Sequence, residues 1–265
     1  MKIAGKRIVV TGASRGLGAQ LARALAARGA CVVLVARSSD AIDKLAADIG
    51  GAAYVCDLGD VDAIDGLIDR IAGDGPIDAL VNNAGLDLTG ALVDLDVAAI
   101  VQLYTVNLIA PVLLCRRVLP LMQRQRHGNI VNISSMAGSN ILPGMTPYSS
   151  SKAGLSHFSA GLRAEVRGLP IKITLAEIGP IHSEMMGSLR SYAPTRRALE
   201  RLEQLKLVYD LPMTSVVNAL VSALERDREH LRMPWRDAAF PMLVEAPRTI
   251  TKWLLTGVDH QPAPD

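Results

Sequence analysis

Six short runs rich in β-branched residues, separated by longer helix-like stretches, constrain this chain more than any other feature of its sequence. Arg7 to Thr11, Cys31 to Ala36, Ala52 to Cys56, Ala79 to Asn82, Asn129 to Ser134 and Lys172 to Ile178 read as strands. Runs such as Cys31-Val32-Val33-Leu34-Val35 are apolar without alternation, which suits strands covered on both faces of a parallel sheet. Parallel neighbours need crossover helices, and right-handed crossovers wind those helices over both faces. The pattern predicts a doubly wound α/β fold with its ligand at the carboxyl edge of the sheet.

With 265 residues, 49% of them hydrophobic and 20% charged, the chain can bury one sizeable core, and a single domain over residues 1–265 is expected. After Pro180 the alternation stops. Residues 184 to 206 and 213 to 229 read as helices and Leu231 to Met233 as a short last strand. Phe240 to Leu255 carries an apolar pattern interrupted by Pro247, and the tail from His260 to Asp265 is expected to fray.

Several function classes are disfavoured. The formal charge is +2 with scattered basic residues, so no nucleic-acid partner is expected. Cys31, Cys56 and Cys115 lie far apart without CxxC spacing, which argues against a disulfide framework or a metal site. The chain enters a strand pattern within a few residues of Met1 and shows no run of 18 apolar residues, so a soluble, cytoplasmic protein is expected. The C-terminal stretch with Arg248, Lys252 and Trp253 could lie on a membrane surface or a neighbouring subunit; a helix packed on its own core is the commoner outcome.

The loop Thr11-Gly12-Ala13-Ser14-Arg15-Gly16-Leu17-Gly18 follows the first strand and opens a helix over Ala19 to Arg28. Glycines at 12, 16 and 18 let backbone approach a pyrophosphate, which the helix N-terminus then holds with its N–H groups and dipole. At the end of the second strand, where a carboxylate would bind the ribose 2′-hydroxyl of NAD, stand Ala36 and Arg37. Arg37 and Arg15 can instead pair with a 2′-phosphate, so NADP(H) is expected over NAD(H).

One helical turn separates Tyr148 from Lys152 in Pro147-Tyr148-Ser149-Ser150-Ser151-Lys152. A cation about 4 Å from a phenol at an effective dielectric of ~20 is worth roughly 4 kcal/mol, enough to bring the phenol towards neutral pKa. Three more signals accompany the pair: Asn82-Asn83-Ala84-Gly85 after the fourth strand, Asn107 inside a long helix from about Val97 to Gln125, and Ile133-Ser134-Ser135 ending the fifth strand. Together, over residues 5 to 185, they resemble the short-chain dehydrogenase/reductase family in its compact branch.

The resemblance implies a Rossmann-like fold and an oxidoreductase moving a hydride between nicotinamide and a carbonyl or secondary alcohol. Tyr148 would be the general acid or base, Lys152 would lower its pKa and hold the nicotinamide ribose, and Ser135 would hydrogen-bond the substrate oxygen. Asn107 would anchor a water linking Lys152 to solvent. Ser134 is the neighbouring alternative to Ser135, but strand alternation points it the other way. Asn82, Asn83, Ala84 and Gly85 would line the adenosine side of the cleft, and Asp57-Leu58 would meet the adenine, although Asp57 could equally cap the next helix.

The chain departs from the family pattern after the sixth strand. In Glu177-Ile178-Gly179-Pro180-Ile181-His182-Ser183, Ile178 stands where the family has Pro; Gly179 is kept, and Ser183 falls where a Thr would bond the carboxamide. Gly179, Ile181 and Ser183 are thus further cofactor contacts, and His182 is read as a loop residue. The segment from about 230 to 265 also diverges, which weakens a 3-oxoacyl carrier-protein reductase role.

Met136, Ile141, Leu142, Met145, Met185 and Met186, with Leu86 to Leu88 and a lid over about 183–207, would line an apolar pocket for a lipophilic ketone or alcohol. A silent dinucleotide-binding sensor or scaffold is the rival, disfavoured by the intact Ser135, Tyr148, Lys152 and Asn107. An epimerase or dehydratase is disfavoured by the GxxxGxG spacing. A homo-oligomer, dimer or tetramer, is expected by resemblance.

Overall fold

A computed structural model describes residues 1–181, 187, 189, 191–205 and 208–235. The strands β1 (Arg7–Thr11), β2 (Cys31–Ala36), β3 (Ala52–Val55), β4 (Ala79–Asn82), β5 (Gly128–Ser135), β6 (Ile171–Ile178) and β7 (His230–Met233) form one sheet. Its order is β3-β2-β1-β4-β5-β6-β7 and every neighbouring pair is parallel. Order reverses between β1 and β4, the place where such sheets open a crevice at their carboxyl edge.

Strand alternation divides the core in two. Ile8, Val10 and Leu34 face α1 (Gly16–Ala26), α2 (Ser39–Ile49) and α9 (Met213–Glu225), which bury Leu21, Leu25, Ile42, Val216 and Leu220 against them. Val9, Val33 and Val35 face the other way, towards α3 (Val61–Ile64), α4 (Leu67–Gly73), α6 (Ala110–Gln125) and α7 (Thr146–Glu165). Remaining helices are α5 (Val97–Tyr104), ahead of α6, and α8 (Ala193–Gln204), in the expected lid.

The helix expected from Val97 to Gln125 is not regular. Residues 105–109 form a π turn in which Ala110 N–H donates to Thr105 O. Pro111 has no N–H to offer the carbonyl of Asn107, so the α-helical ladder cannot run through here. The whole span, Val97–Gln125, is long and apolar enough to cross a membrane, against the sequence expectation of no such run. Within it Leu114, Cys115, Val118 and Met122 are buried on the sheet and Asn107 is fully buried, while Val97, Val101 and Ile109 are exposed. Ser183, Met185 and Met186, with His182 and the C-terminal stretch from 236, lie outside the described residues.

Candidate active site

The crevice is built by two turns that grip each other. Asn83 Nδ2 donates to the carbonyls of Thr11 (2.9 Å) and Gly12 (3.3 Å), while Thr11 Oγ1 accepts from the N–H groups of Asn83 (3.0 Å) and Ala84 (3.1 Å). This leaves no room for side chains. A Cβ on Gly12 would lie 2.7 Å from Ala84 Cα, and one on Gly18 would lie 2.3 Å from Gly12 O. Arg15 precedes α1 in extended conformation and puts no side-chain cap on its N-terminus. The first-turn N–H groups of α1 and the bare backbone of the loop therefore suit a pyrophosphate. Ser14 and Leu17 are half-buried in this loop, Leu17 packing on the core. Ala13 N–H donates to Val35 O at 3.3 Å, so the loop lies against the end of β2, where Arg37 is exposed just before α2.

Asp57 does not cap α3. It accepts from Gly59 N–H at 2.9 Å, and Asp60 is the cap, accepting from Asp62 and Ala63. Leu58 is buried with the core of that face.

A second group of side chains gathers where β5 meets α7. Ser135 Oγ accepts from Ala137 N–H at 3.1 Å, and the Ser135 hydroxyl acts to lower the pKa of the Tyr148 phenol. Lys152 Nζ donates to Ile133 O at 3.1 Å and lies 5.9 Å from the centre of the Tyr148 ring. Ser134 points into the α7 interface, towards the carbonyl of Lys152 at 2.9 Å, as alternation requires. A Cβ on Gly85 would be 3.5 Å from both Lys152 Nζ and Asn107 Oδ1, so the NNAG turn and the π turn close on the same place.

Asn107 is engaged directly with protein. Its Oδ1 accepts from Leu86 N–H at 2.8 Å, and its Nδ2 donates to Leu86 O (2.9 Å) and Ser151 Oγ (3.1 Å). The side chain thus clamps the turn after Gly85.

Electrostatics differ from the sequence expectation. Burial pushes the Tyr148 phenol up, the Ser135 hydrogen bond works against this, and Asp87 adds to the rise. Burial also brings the neighbouring Lys152 ammonium down, to about 8. Leu103, Leu189 and Leu199 from distant chain, with Met145 close by, cluster with Tyr148, which is 8% exposed.

Of the expected pocket residues, Met145 is in that cluster, Leu88 and Leu142 pack against it, Met136 is buried in the turn after Ser135, and Ile141 is 96% exposed. Thr195 Oγ1 holds α8 to the carbonyl of Pro143 at 2.6 Å. Ile181 bridges to Leu211, and Gly179 N–H donates to Met233 O at 2.6 Å. Sequence reasoning missed Thr11 and Ser151, although each adjoins a residue it singled out.

A parallel sheet reversing at β1 and β4, with a bare glycine loop at the reversal, defines a Rossmann-type dinucleotide-binding fold. The chain belongs to the short-chain dehydrogenase family, whose model matches residues 6–193, and it is accordingly an oxidoreductase. A ketoacyl reductase, HetN, from Nostoc sp. is 35% identical over 232 residues, 84% of this chain and 76% of the relative. A Sphingobium yanoikuyae short-chain dehydrogenase in complex with NADPH superposes with a TM-score of 0.79 at 27% identity, covering 98% of this chain and 99% of that one. A Streptomyces avermitilis short-chain dehydrogenase gives a TM-score of 0.78 at 29% identity, covering 97% and 99%.

Proposed function

We propose that this protein is an NADP(H)-dependent reductase of a lipophilic carbonyl compound, or the dehydrogenase of the corresponding alcohol, with Tyr148 as the proton-transferring group. The observation that carries the reading is the gathering of Ser135, at the carboxyl end of β5, with the buried Tyr148 and Lys152 of α7, where Lys152 Nζ lies 5.9 Å from the Tyr148 ring centre and donates to Ile133 O. The glycine loop, with Arg15 and Arg37, would hold the nicotinamide dinucleotide, which when bound would supply or receive the hydride.

This chain's own residues then position and protonate. Ser135 donates a hydrogen bond to the substrate oxygen as negative charge develops there. Tyr148, kept protonated at neutral pH by burial, gives its proton to that oxygen. Lys152 stands behind it, and Asn107 fixes the turn at Gly85 that closes the site. The apolar cluster of Leu103, Met145, Leu189 and Leu199 around Tyr148 supports a lipophilic substrate and helps exclude water.

The likeness to the HetN ketoacyl reductase favours a 3-oxoacyl thioester as a second reading. Purified protein assayed with NADPH against simple ketones and a 3-oxoacyl thioester separates the two. Tyr148→Phe is expected to cut turnover at least ~100-fold with cofactor binding kept. Unchanged turnover in that variant would remove Tyr148 from the chemistry.

A further inference from the structure

Glu177 is a carboxylate in the apolar strand β6 and is only 5% exposed. Arg232, in register beside it on β7, donates Nε–H to Glu177 Oε2 at 2.9 Å. From the other side, Ser156 Oγ of α7 lies 3.4 Å from Glu177 Oε1. Ser156 Oγ is in turn 2.9 Å from Ser134 Oγ on β5, and Ser134 Oγ is 2.9 Å from the carbonyl of Lys152. Ser134 and Ser156 are each 4% exposed. A continuous buried polar line thus runs from the last strand of the sheet to the backbone of Lys152.

Its protons can be counted. The carboxylate and the carbonyl at its ends only accept, and the two hydroxyls between them hold one proton each for three contacts. Either both hydroxyls point towards Lys152 or both point towards Glu177; with each pointing outward, the two oxygens would face each other without a proton. The short contact at Lys152 favours the first arrangement, and the charge of Glu177 favours the second. The neighbours of Ser134 also face α7: Ile133 O takes Lys152 Nζ, and the Ser135 hydroxyl acts on the Tyr148 phenol. Three consecutive residues of β5 therefore set the seat of α7, and only the middle one connects onward to a buried charge.

We propose that Glu177, held by Arg232, is a positioning residue: through Ser156 and Ser134 it sets how α7 sits on β5, so that the Tyr148–Lys152 geometry depends on the last strand. Its effect on turnover rests on the reductase reading above, but the link itself does not. Displacing reacting groups by about 1 Å can cost ~100-fold in rate, so a small change of seat is measurable.

The test uses the full chain with three variants. Glu177→Gln keeps shape and removes charge, Ser156→Ala removes only a hydroxyl, and the double variant Glu177→Leu/Arg232→Leu replaces the ion pair with apolar groups that buried sites generally tolerate. Lys152 is titrated by NMR of its labelled ε-carbon, assigned with Lys152→Arg; the wild-type midpoint is expected at about 8. In folded variants that midpoint should move by about half a unit, a ~3-fold change in proton affinity. With NADPH and a ketone, kcat should fall about ten-fold while the cofactor KM stays within about two-fold. Folded variants with both the Lys152 midpoint and kcat at wild-type values would overturn the proposal and leave Glu177 and Arg232 a structural pair. A wild type that turns over no carbonyl compound would instead defeat the reductase reading, and the Lys152 titration would still decide the link.

Discussion

Replacing Lys152 by Met should make the protein more stable at neutral pH while abolishing the arrangement that the reductase reading needs. The Lys152 side chain is 5% exposed, and burial lowers its pKa from 10.5 to about 8. At about 1.4 kcal/mol per unit, holding the ammonium in the folded state costs about 3 kcal/mol relative to the unfolded chain. Below pH 8 both states carry the proton and that cost is fully present. Between 8 and 10.5 the unfolded chain binds more protons than the folded one, so wild-type stability rises with pH and the cost disappears.

Met fills a similar volume without charge but forfeits the hydrogen bond to Ile133 O, worth about 1 kcal/mol. The net expectation at pH 7 is a gain of about 2 kcal/mol, or about 4–8 °C in Tm for a chain of this size. Above pH 10.5 the sign should reverse, with the variant about 1 kcal/mol less stable because only the lost hydrogen bond remains. Urea unfolding of both proteins at pH 7 and pH 11, followed by circular dichroism, measures the difference, from which other titrating groups cancel. A variant destabilised at pH 7, or a gap that does not change with pH, would refute the reasoning.

Arg37→Ala should raise the KM for NADPH by about ten-fold or more while leaving that for NADH nearly unchanged, since one charge-assisted contact to a 2′-phosphate is worth about 1.5–3 kcal/mol; steady-state assays with both cofactors decide this. Gly18→Ala puts a methyl group 2.3 Å from Gly12 O, so the loop must move and dinucleotide affinity should fall about 100-fold or more in calorimetric titration, with the fold kept by circular dichroism. Carbonyl reduction should decline as pH rises through about 8, where Lys152 loses its proton, and Lys152→Arg, whatever its residual rate, should lack that limb.

What could be read in the sequence was local. The six strands, the glycine spacing at 12, 16 and 18 and the Tyr148–Lys152 turn each depend on residues close together in the chain, where periodicity and turn chemistry act. What was misjudged depends on distant packing. The Tyr148 pKa follows the desolvation imposed by Leu189 and Leu199, some forty to fifty residues away, more than the charge four residues on. Glu177 finds Arg232 across a strand pairing that periodicity does not specify, although a carboxylate in an apolar strand already demands a partner. The π turn was nearer to hand: Pro111, four residues after Asn107, removes the one N–H an α-helix would need there. Asp57 lost the capping role to Asp60 because only the latter reaches the second and third N–H groups of α3.

The reversed order of the two pKa values changes what Lys152 is for on the reductase reading. If Lys152 lowered the phenol pKa, Tyr148 would exist partly as phenolate at rest and would serve alcohol oxidation. Instead burial holds the phenol above its ordinary value and brings Lys152 down to about 8, so a proton moving from Lys152 to a spent phenolate would run downhill. On that reading the burial of both groups would make Tyr148 a proton donor that is full at neutral pH and Lys152 the group that refills it. Lys152, titrating within about a unit of neutrality, can itself be recharged from solvent at little cost. The same desolvation that destabilises the fold by about 3 kcal/mol at Lys152 therefore sets the direction in which its proton runs, which is why removing the lysine should gain stability and lose turnover together.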